Sequence, residues 1–189
     1  MSLVPHPAPP HGTRRHAVGV LLLALCLGLL AGCGDDSSDD GSGAPGVKTG
    51  VPTILSESQL RAYGKAQAFP VYWAGPQENR RYELTRTAGG RVYIRYLTPG
   101  ADAGSASPRF LTVGTYPGSN AYGALQTVGR RDGAVRVKTQ SGALVVLPTA
   151  SSRSVYFAFP QQNFQVEVYD PQAGRARSLV LDGQISRLG

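Results

Sequence analysis

R-Y-E-L-T-R-T-A-G-G-R-V-Y-I-R-Y-L, Arg81 to Leu97, is the stretch whose reading decides the fold. In its second half Val92, Ile94 and Tyr96 alternate with Tyr93 and Arg95. That is the period of two that gives a strand one apolar face and one amphipathic face. T-A-G-G, Thr87 to Gly90, separates the two halves and supplies the glycines of a tight reversal, so R-Y-E-L-T-R (Arg81 to Arg86) and R-V-Y-I-R-Y-L (Arg91 to Leu97) read as a β-hairpin.

Working downstream, Pro99 to Pro108 is a loop of Gly, Ala and Ser, after which R-F-L-T-V-G-T-Y (Arg109 to Tyr116) resumes as strand. Ser119 is placed to cap a helix carrying Tyr122, Leu125 and Val128 and closed by Gly129. Further strands are expected at A-V-R-V-K-T (Ala134 to Thr139), A-L-V-V-L (Ala143 to Leu147), S-V-Y-F-A-F (Ser154 to Phe159) and F-Q-V-E-V-Y (Phe164 to Tyr169). Asp170 followed by Pro171 has the form of an N-cap and a first helical residue, with Ala173, Ala176, Leu179 and Val180 on the helical face and Gly183 as its stop. Upstream, V-Y-W (Val71 to Trp73) is a short strand. Before it, Ser56 and Gln59 form a capping box and Leu55 with Leu60 a hydrophobic staple. Leu60, Tyr63 and Ala66 then line one face of a helix that ends before Phe69-Pro70.

Phe110, Pro117, Leu125 and Gly129 have the same separations as Phe164, Pro171, Leu179 and Gly183, and each set follows a Val-Tyr pair, Val92-Tyr93 and Val155-Tyr156. The pattern suggests two duplicated strand-strand-helix units. Strands in runs with helices at their ends imply an α+β domain, a mainly antiparallel sheet with two or three helices packed on one face.

The amino terminus carries a different message. Arg14, Arg15 and His16 precede an uncharged apolar run from Ala17 to Ala31. The run is shorter than the ~20 residues of a membrane-spanning helix and has the form of a secretory h-region. It ends in L-A-G-C, which resembles the lipobox of bacterial lipoproteins: Leu30, Ala31 and Gly32 before Cys33. The resemblance implies lipid transfer to the Cys33 thiol and cleavage before it, so that residues 1–32 are the signal peptide. An uncleaved anchor and an ordinary secretory signal are the alternatives. Thr13 to Val18, T-R-R-H-A-V, leaves the choice between the general and twin-arginine export routes open. Gly34 to Gly50 is Gly, Ser and Asp with almost nothing to bury, and residues 33–50 read as lipidated Cys plus a flexible acidic tether. Asp35, Asp36, Asp39 and Asp40 lack the spaced loop of a calcium site.

The domain from Val51 to Gly189 holds 16 Lys and Arg against 8 Asp and Glu, and 14 of the 16 are Arg. Such a surface favours anionic partners, although abundant Arg also follows from composition alone. His6, His11, His16 and Cys26 all leave with the signal. The mature chain therefore has no imidazole, and its one thiol carries lipid. Ser-His-Asp and Cys-His catalysis, Cys/His zinc sites and disulfides drop out, and no cofactor or metal is expected. Lys48-Thr49-Gly50 spells a fragment of penicillin-recognising enzymes, but their S-x-x-K is absent. A carboxylate pair for glycoside chemistry remains conceivable with Glu83 and Glu167, whereas Asp132, Asp170 and Asp182 sit in turns or caps.

F-P-V-Y-W-A-G-P (Phe69 to Pro76), Y-E-L-T (Tyr82 to Thr85), V-Y-I-R-Y-L (Val92 to Leu97) and V-E-V-Y-D-P (Val166 to Pro171) resemble a group of actinobacterial lipoproteins with no assigned activity. The resemblance implies an envelope location and a single fold unit, and no functional residues. Three functions stay in view. The leading expectation is a non-catalytic binding or accessory domain, anchored outside the membrane through Cys33. Its partners would be anionic envelope polymers or another envelope protein, and not nucleic acid. The alternatives are a glycan- or phosphate-ester-active enzyme without His, and an assembly factor for a membrane complex. The candidate binding surface is aromatic and Arg-rich: Tyr72, Trp73, Arg80, Arg81, Arg91 and Arg95. Trp73 in the core is the competing assignment.

Overall fold

A computed structural model describes residues 46–189. The expected signal peptide, with Leu30, Ala31, Gly32 and Cys33, and the acidic stretch as far as residue 45 lie outside the described residues. Among the described residues no helix is long and apolar enough to cross a membrane.

The elements run β1 (Thr53–Leu55), α1 (Glu57–Lys65), β2 (Tyr72–Trp73), β3 (Arg81–Arg86), β4 (Val92–Leu97), β5 (Thr112–Pro117), α2 (Ala121–Val128), β6 (Val135–Lys138), β7 (Leu144–Leu147), β8 (Ser154–Ala158), β9 (Phe164–Tyr169), α3 (Arg175–Leu181) and β10 (Ser186–Arg187). Eight strands form one sheet in the order β1-β3-β4-β5-β9-β8-β7-β6, and β2 pairs with β10 in a small second sheet. Every pairing is antiparallel, so the α+β architecture read from the strand runs is what the chain adopts.

Register carries the alternation of single strands across the whole sheet. Val92, Thr115, Val166, Phe157, Val145 and Val137 are successive cross-strand neighbours. Leu84, Ile94, Val113, Val168 and Val155 form the adjacent row. These side chains make the main core, on which α1 (Leu60, Tyr63), α3 (Ala176, Leu179, Val180) and β2 pack. The single hydroxyl in the first row, Thr115, is buried and accepts the Tyr72 amide at 3.1 Å, which also fixes β2 over the sheet.

Two helices, α1 and α3, share one face of the sheet, within the two or three expected there, and α2 takes the other. Leu125 of α2 packs with Leu144, Val146 and Ala158 on the opposite face, which is why all of L-V-V-L in β7 is buried. The proposed duplication fails for the same reason. Its spacing aligns Phe110 with Phe164, yet Phe164 belongs to the main core while the Phe110 ring lies under the Arg95 guanidinium on the other face. A strand shifted by one residue turns every side chain over, so the two strand-strand-helix runs share an order without sharing a packing.

Local signals held in part. The Ser56 hydroxyl accepts the Gln59 amide at 3.2 Å and Gln59 Oε1 accepts the Ser56 amide at 2.9 Å, completing the capping box. Gly183 has φ of +72° and, with Gln184, closes α3 through bonds to the Val180 and Leu179 carbonyls. Two caps are corrected. Asn120, left-handed at φ of +56°, and not Ser119, precedes α2. Asp170 caps a turn instead of a helix: its Oδ1 accepts the Gln172 amide, and α3 begins only after Gly174. The fold also starts before Val51, since Val47 packs on the core and the Gly50 amide donates to the Arg86 carbonyl at 2.7 Å. Lys48-Thr49-Gly50 is thus a turn at the sheet edge.

Candidate functional site

The six residues expected to form one aromatic and Arg-rich surface are dispersed. Tyr72 and Trp73 are core residues, 5% and 2% exposed. Tyr72 packs against Phe157, Phe159 and Phe164 with ring centroids 5.5 to 6.5 Å apart, and Trp73 lies between Tyr82 and the Arg61 guanidinium. This corrects the assignment of Trp73 to a binding surface, since large aromatic area is more stable inside. Arg91 is exposed beside the Tyr116 ring. Arg81 is exposed and donates to the Ala101 carbonyl. Arg80 is half-buried among the loops at the end of β3, β4, β5 and β9. Arg95 points across β4 to Glu83.

The two strand carboxylates are both committed. Glu83 is 1% exposed. It accepts from Arg95 at 2.8 Å and from the Gly104 amide at 2.6 Å, while Arg95 also binds the Ser105 and Ser107 carbonyls and so holds the 98–110 loop on the sheet. Glu167 accepts three hydroxyls, Tyr116 at 2.6 Å, Ser154 at 2.7 Å and Tyr156 at 3.0 Å. Burial, reinforced by the Glu167 charge, raises Tyr156 to about 12. Burial and the bond to Glu167 drive Tyr116 higher still. Three strand spacings separate β3 from β9, which puts the two carboxylates about 14 Å apart. Two-carboxylate glycosidases need about 5 to 9.5 Å, so Glu83 and Glu167 do not form such a pair.

The principal concavity lies elsewhere. The β6–β7 hairpin extends the sheet past the end of α3 and leaves the core face there without a helix. The result is an open cleft of about 690 Å³. Val137, Val145 and Phe157, three members of one cross-strand row, make its floor together with Tyr72 and Phe159. Val180, Leu181 and Ile185 form one wall, and the hairpin turn from Lys138 to Ser141 forms the other. Lys138 and Asp182 bring opposite charges to the rim, and both are exposed. The Thr139 hydroxyl is spent on the turn, accepting the Ala143 amide at 3.0 Å and sharing a proton with Ser141 at 2.9 Å. Gln140 is the exposed amide of the rim. Chemically this cleft can bury an apolar body and orient a polar end, and it presents no activated nucleophile. Among the described residues no group of three His, Cys, Asp or Glu side chains is placed to hold a metal ion.

Sequence reasoning missed this cleft because its floor is assembled from residues up to 87 positions from Tyr72. One signal was available: F-A-F, Phe157 to Phe159, puts two aromatic side chains on the same strand face, and the second remains only half-buried. No protein-family model, curated protein or solved structure matches this chain.

Proposed function

We propose that this chain is an extracytoplasmic lipoprotein, anchored through Cys33, whose domain is a non-catalytic binding module taking a small amphipathic molecule into the cleft between the β6–β7 hairpin and α3. The observation that carries the reading is the open cleft itself, whose apolar lining combines buried Tyr72, Val145 and Phe157 with half-buried Val137 and Phe159. Its volume of about 690 Å³ falls within the ~300–1,000 Å³ of small-molecule sites, and its apolar lining with few polar groups is the usual composition of one. A macromolecular partner receives less support. Among the described residues Val51 is the one large apolar side chain that is exposed, where a docking face would present a contiguous patch. Of the enzymatic alternatives, glycoside hydrolysis loses the Glu83–Glu167 pair to the separation of their strands.

The anchor rests on the lipobox residues Leu30 to Cys33 following an uncharged run. Two acyl chains give durable attachment where one is marginal. Cys33→Ala is expected to move the protein from the washed membrane pellet to the soluble fraction without altering its far-UV circular dichroism. Undiminished recovery in the pellet would count against the anchor.

The cleft is tested with the full chain in detergent and a dansyl-labelled fatty acid as probe. Wild type is expected to enhance and blue-shift the dansyl emission. Val137→Arg, a half-buried edge-strand position whose side chain faces the cleft, should abolish the change while leaving the unfolding midpoint within a few degrees of wild type. No enhancement with folded wild-type protein would refute the reading.

A further inference from the structure

A second concavity lies at the sheet end where β4 and β9 leave and β3 and β5 begin. It is small, about 120 Å³, and three arginines, Arg80, Arg109 and Arg175, line it with one carboxylate, Asp170. Among the described residues neither Arg80 nor Arg109 makes an ion pair. The pocket therefore gathers an excess of positive charge from half-buried Arg80 and Arg175 and exposed Arg109, which an oxyanion relieves, and guanidinium forks match the oxygens of phosphate.

Asp170 adds a selective feature. It is 1% exposed. Its Oδ1 accepts the Gln172 amide at 2.8 Å, but Oδ2 has no hydrogen-bond partner. The nearest cation, Arg175 Nε, stands 3.6 Å away, beyond hydrogen-bond reach. A buried carboxylate oxygen without a donor is costly and calls for one. A ligand that satisfies the whole pocket must be an anion to the arginines and a proton donor to Asp170.

We propose that this pocket binds inorganic phosphate as hydrogenphosphate, its charged oxygens on Arg80, Arg109 and Arg175 and its P–OH donated to Asp170 Oδ2. Sulfate carries the same charge and shape but no proton near neutrality. A phosphodiester has no hydroxyl. A phosphomonoester loses its last proton near pH 6, whereas inorganic phosphate keeps one until strong alkali. The pocket therefore separates free phosphate from monoester headgroups above pH 7. The charged and titratable groups facing it are Asp170, Arg80, Arg109, Arg175 and Tyr96. Burial holds the Tyr96 hydroxyl protonated above its ordinary range. The monoester's own last proton sets where its binding changes, near pH 6.

Isothermal titration of the detergent-solubilised full chain at pH 8, with sodium phosphate, sodium sulfate and glycerol phosphate, tests this. Phosphate is expected to bind at least tenfold tighter than either competitor, and glycerol phosphate to gain affinity as pH falls below 6. Asp170→Asn retains an Oδ1 for the Gln172 amide. It should weaken phosphate on the order of ten- to a hundredfold, the range of a hydrogen bond to a charged group, and bring the phosphate-to-sulfate ratio close to one. Arg80→Ala should weaken both anions together. Folded wild-type protein that gives no phosphate heat overturns the proposal. So does sulfate binding equal to phosphate, or glycerol phosphate binding equally at pH 8.

Discussion

At the level of single residues, the polar face of the sheet is organised by a missing side chain. Gly114 sits opposite Glu167 in the β5–β9 ladder. Tyr116, two residues along on the same face, folds back over that glycine to reach the carboxylate, and Tyr93 packs edge-on against its ring at 5.6 Å. A Cβ at position 114 would stand 2.6 Å from the Tyr116 hydroxyl oxygen. Gly114→Ala should therefore displace the phenol and remove one of three donors from Glu167. We expect a loss of about 1–3 kcal/mol in urea unfolding, the cost of depriving a largely enclosed carboxylate of a partner. In a Tyr116→Ala background the same alanine should cost nearly nothing, because the clash is gone. An equal loss in both backgrounds would show that strand propensity, and not the Tyr116–Glu167 bond, sets the effect. The sequence R-F-L-T-V-G-T-Y announced the strand but not the purpose of its glycine, which depends on a partner 53 residues away in the chain.

At the level of elements, the same glycine logic separates what was legible from what was not. Gly64 weakens α1 by about 1 kcal/mol relative to alanine on intrinsic propensity. In the fold the Leu188 carbonyl and side chain cross directly over it, while the Leu188 amide donates to Val71 at 2.8 Å. Gly64→Ala is thus expected to destabilise in spite of its better propensity, by pushing off the segment that carries β10. Thermal unfolding should show a lower midpoint, and a raised midpoint would refute the packing argument. Ser56→Ala, by contrast, should cost about 1 kcal/mol through the cap alone. The Ser56 capping box, the hairpin turn and the Gly183 stop were readable because each is written within about six residues. The two-residue pairing of β2 with β10 was invisible, since Tyr72–Trp73 and Ser186–Arg187 meet only after the intervening sheet has folded. Ser119 and Asp170 misled because a capping residue type fits a turn as well as a helix start. The strand edges are managed by ordinary means: β1 is three residues long, and β6 turns Arg136 and Lys138 outward.

For the whole molecule, the period of two specified which strands shared a face, but the faces chosen by the helices depended on the parity of every loop between them. β5 and β9 pair in continuous register, yet the helices that follow them, α2 and α3, pack on opposite faces, and no local pattern records that choice. The cleft and the arginine pocket are products of the same long-range assembly, so the sequence named Arg80 without naming Arg109, Arg175 or Asp170 as its companions. What the composition did foretell is the response to pH. Residues 46–189 contain neither His nor Cys, the side chains that titrate near neutrality. Stability should be nearly level from pH 6 to 9. Above that, burial raises Tyr63, Tyr96, Tyr116 and Tyr156 from the ordinary value of 10.0, Tyr156 to about 12. The folded state then keeps protons that the unfolded chain releases, so the contribution is complete below pH 10 and is lost as pH rises through the folded values. The unfolding midpoint should decline steadily from about pH 10 upward. Tyr156→Phe should lower the plateau, because Glu167 loses a donor, yet make the alkaline decline shallower by one titrating group. A midpoint that stays level between pH 10 and 12, or a Tyr156→Phe protein with an unchanged alkaline slope, would mean that these phenols ionise as freely in the fold as in water.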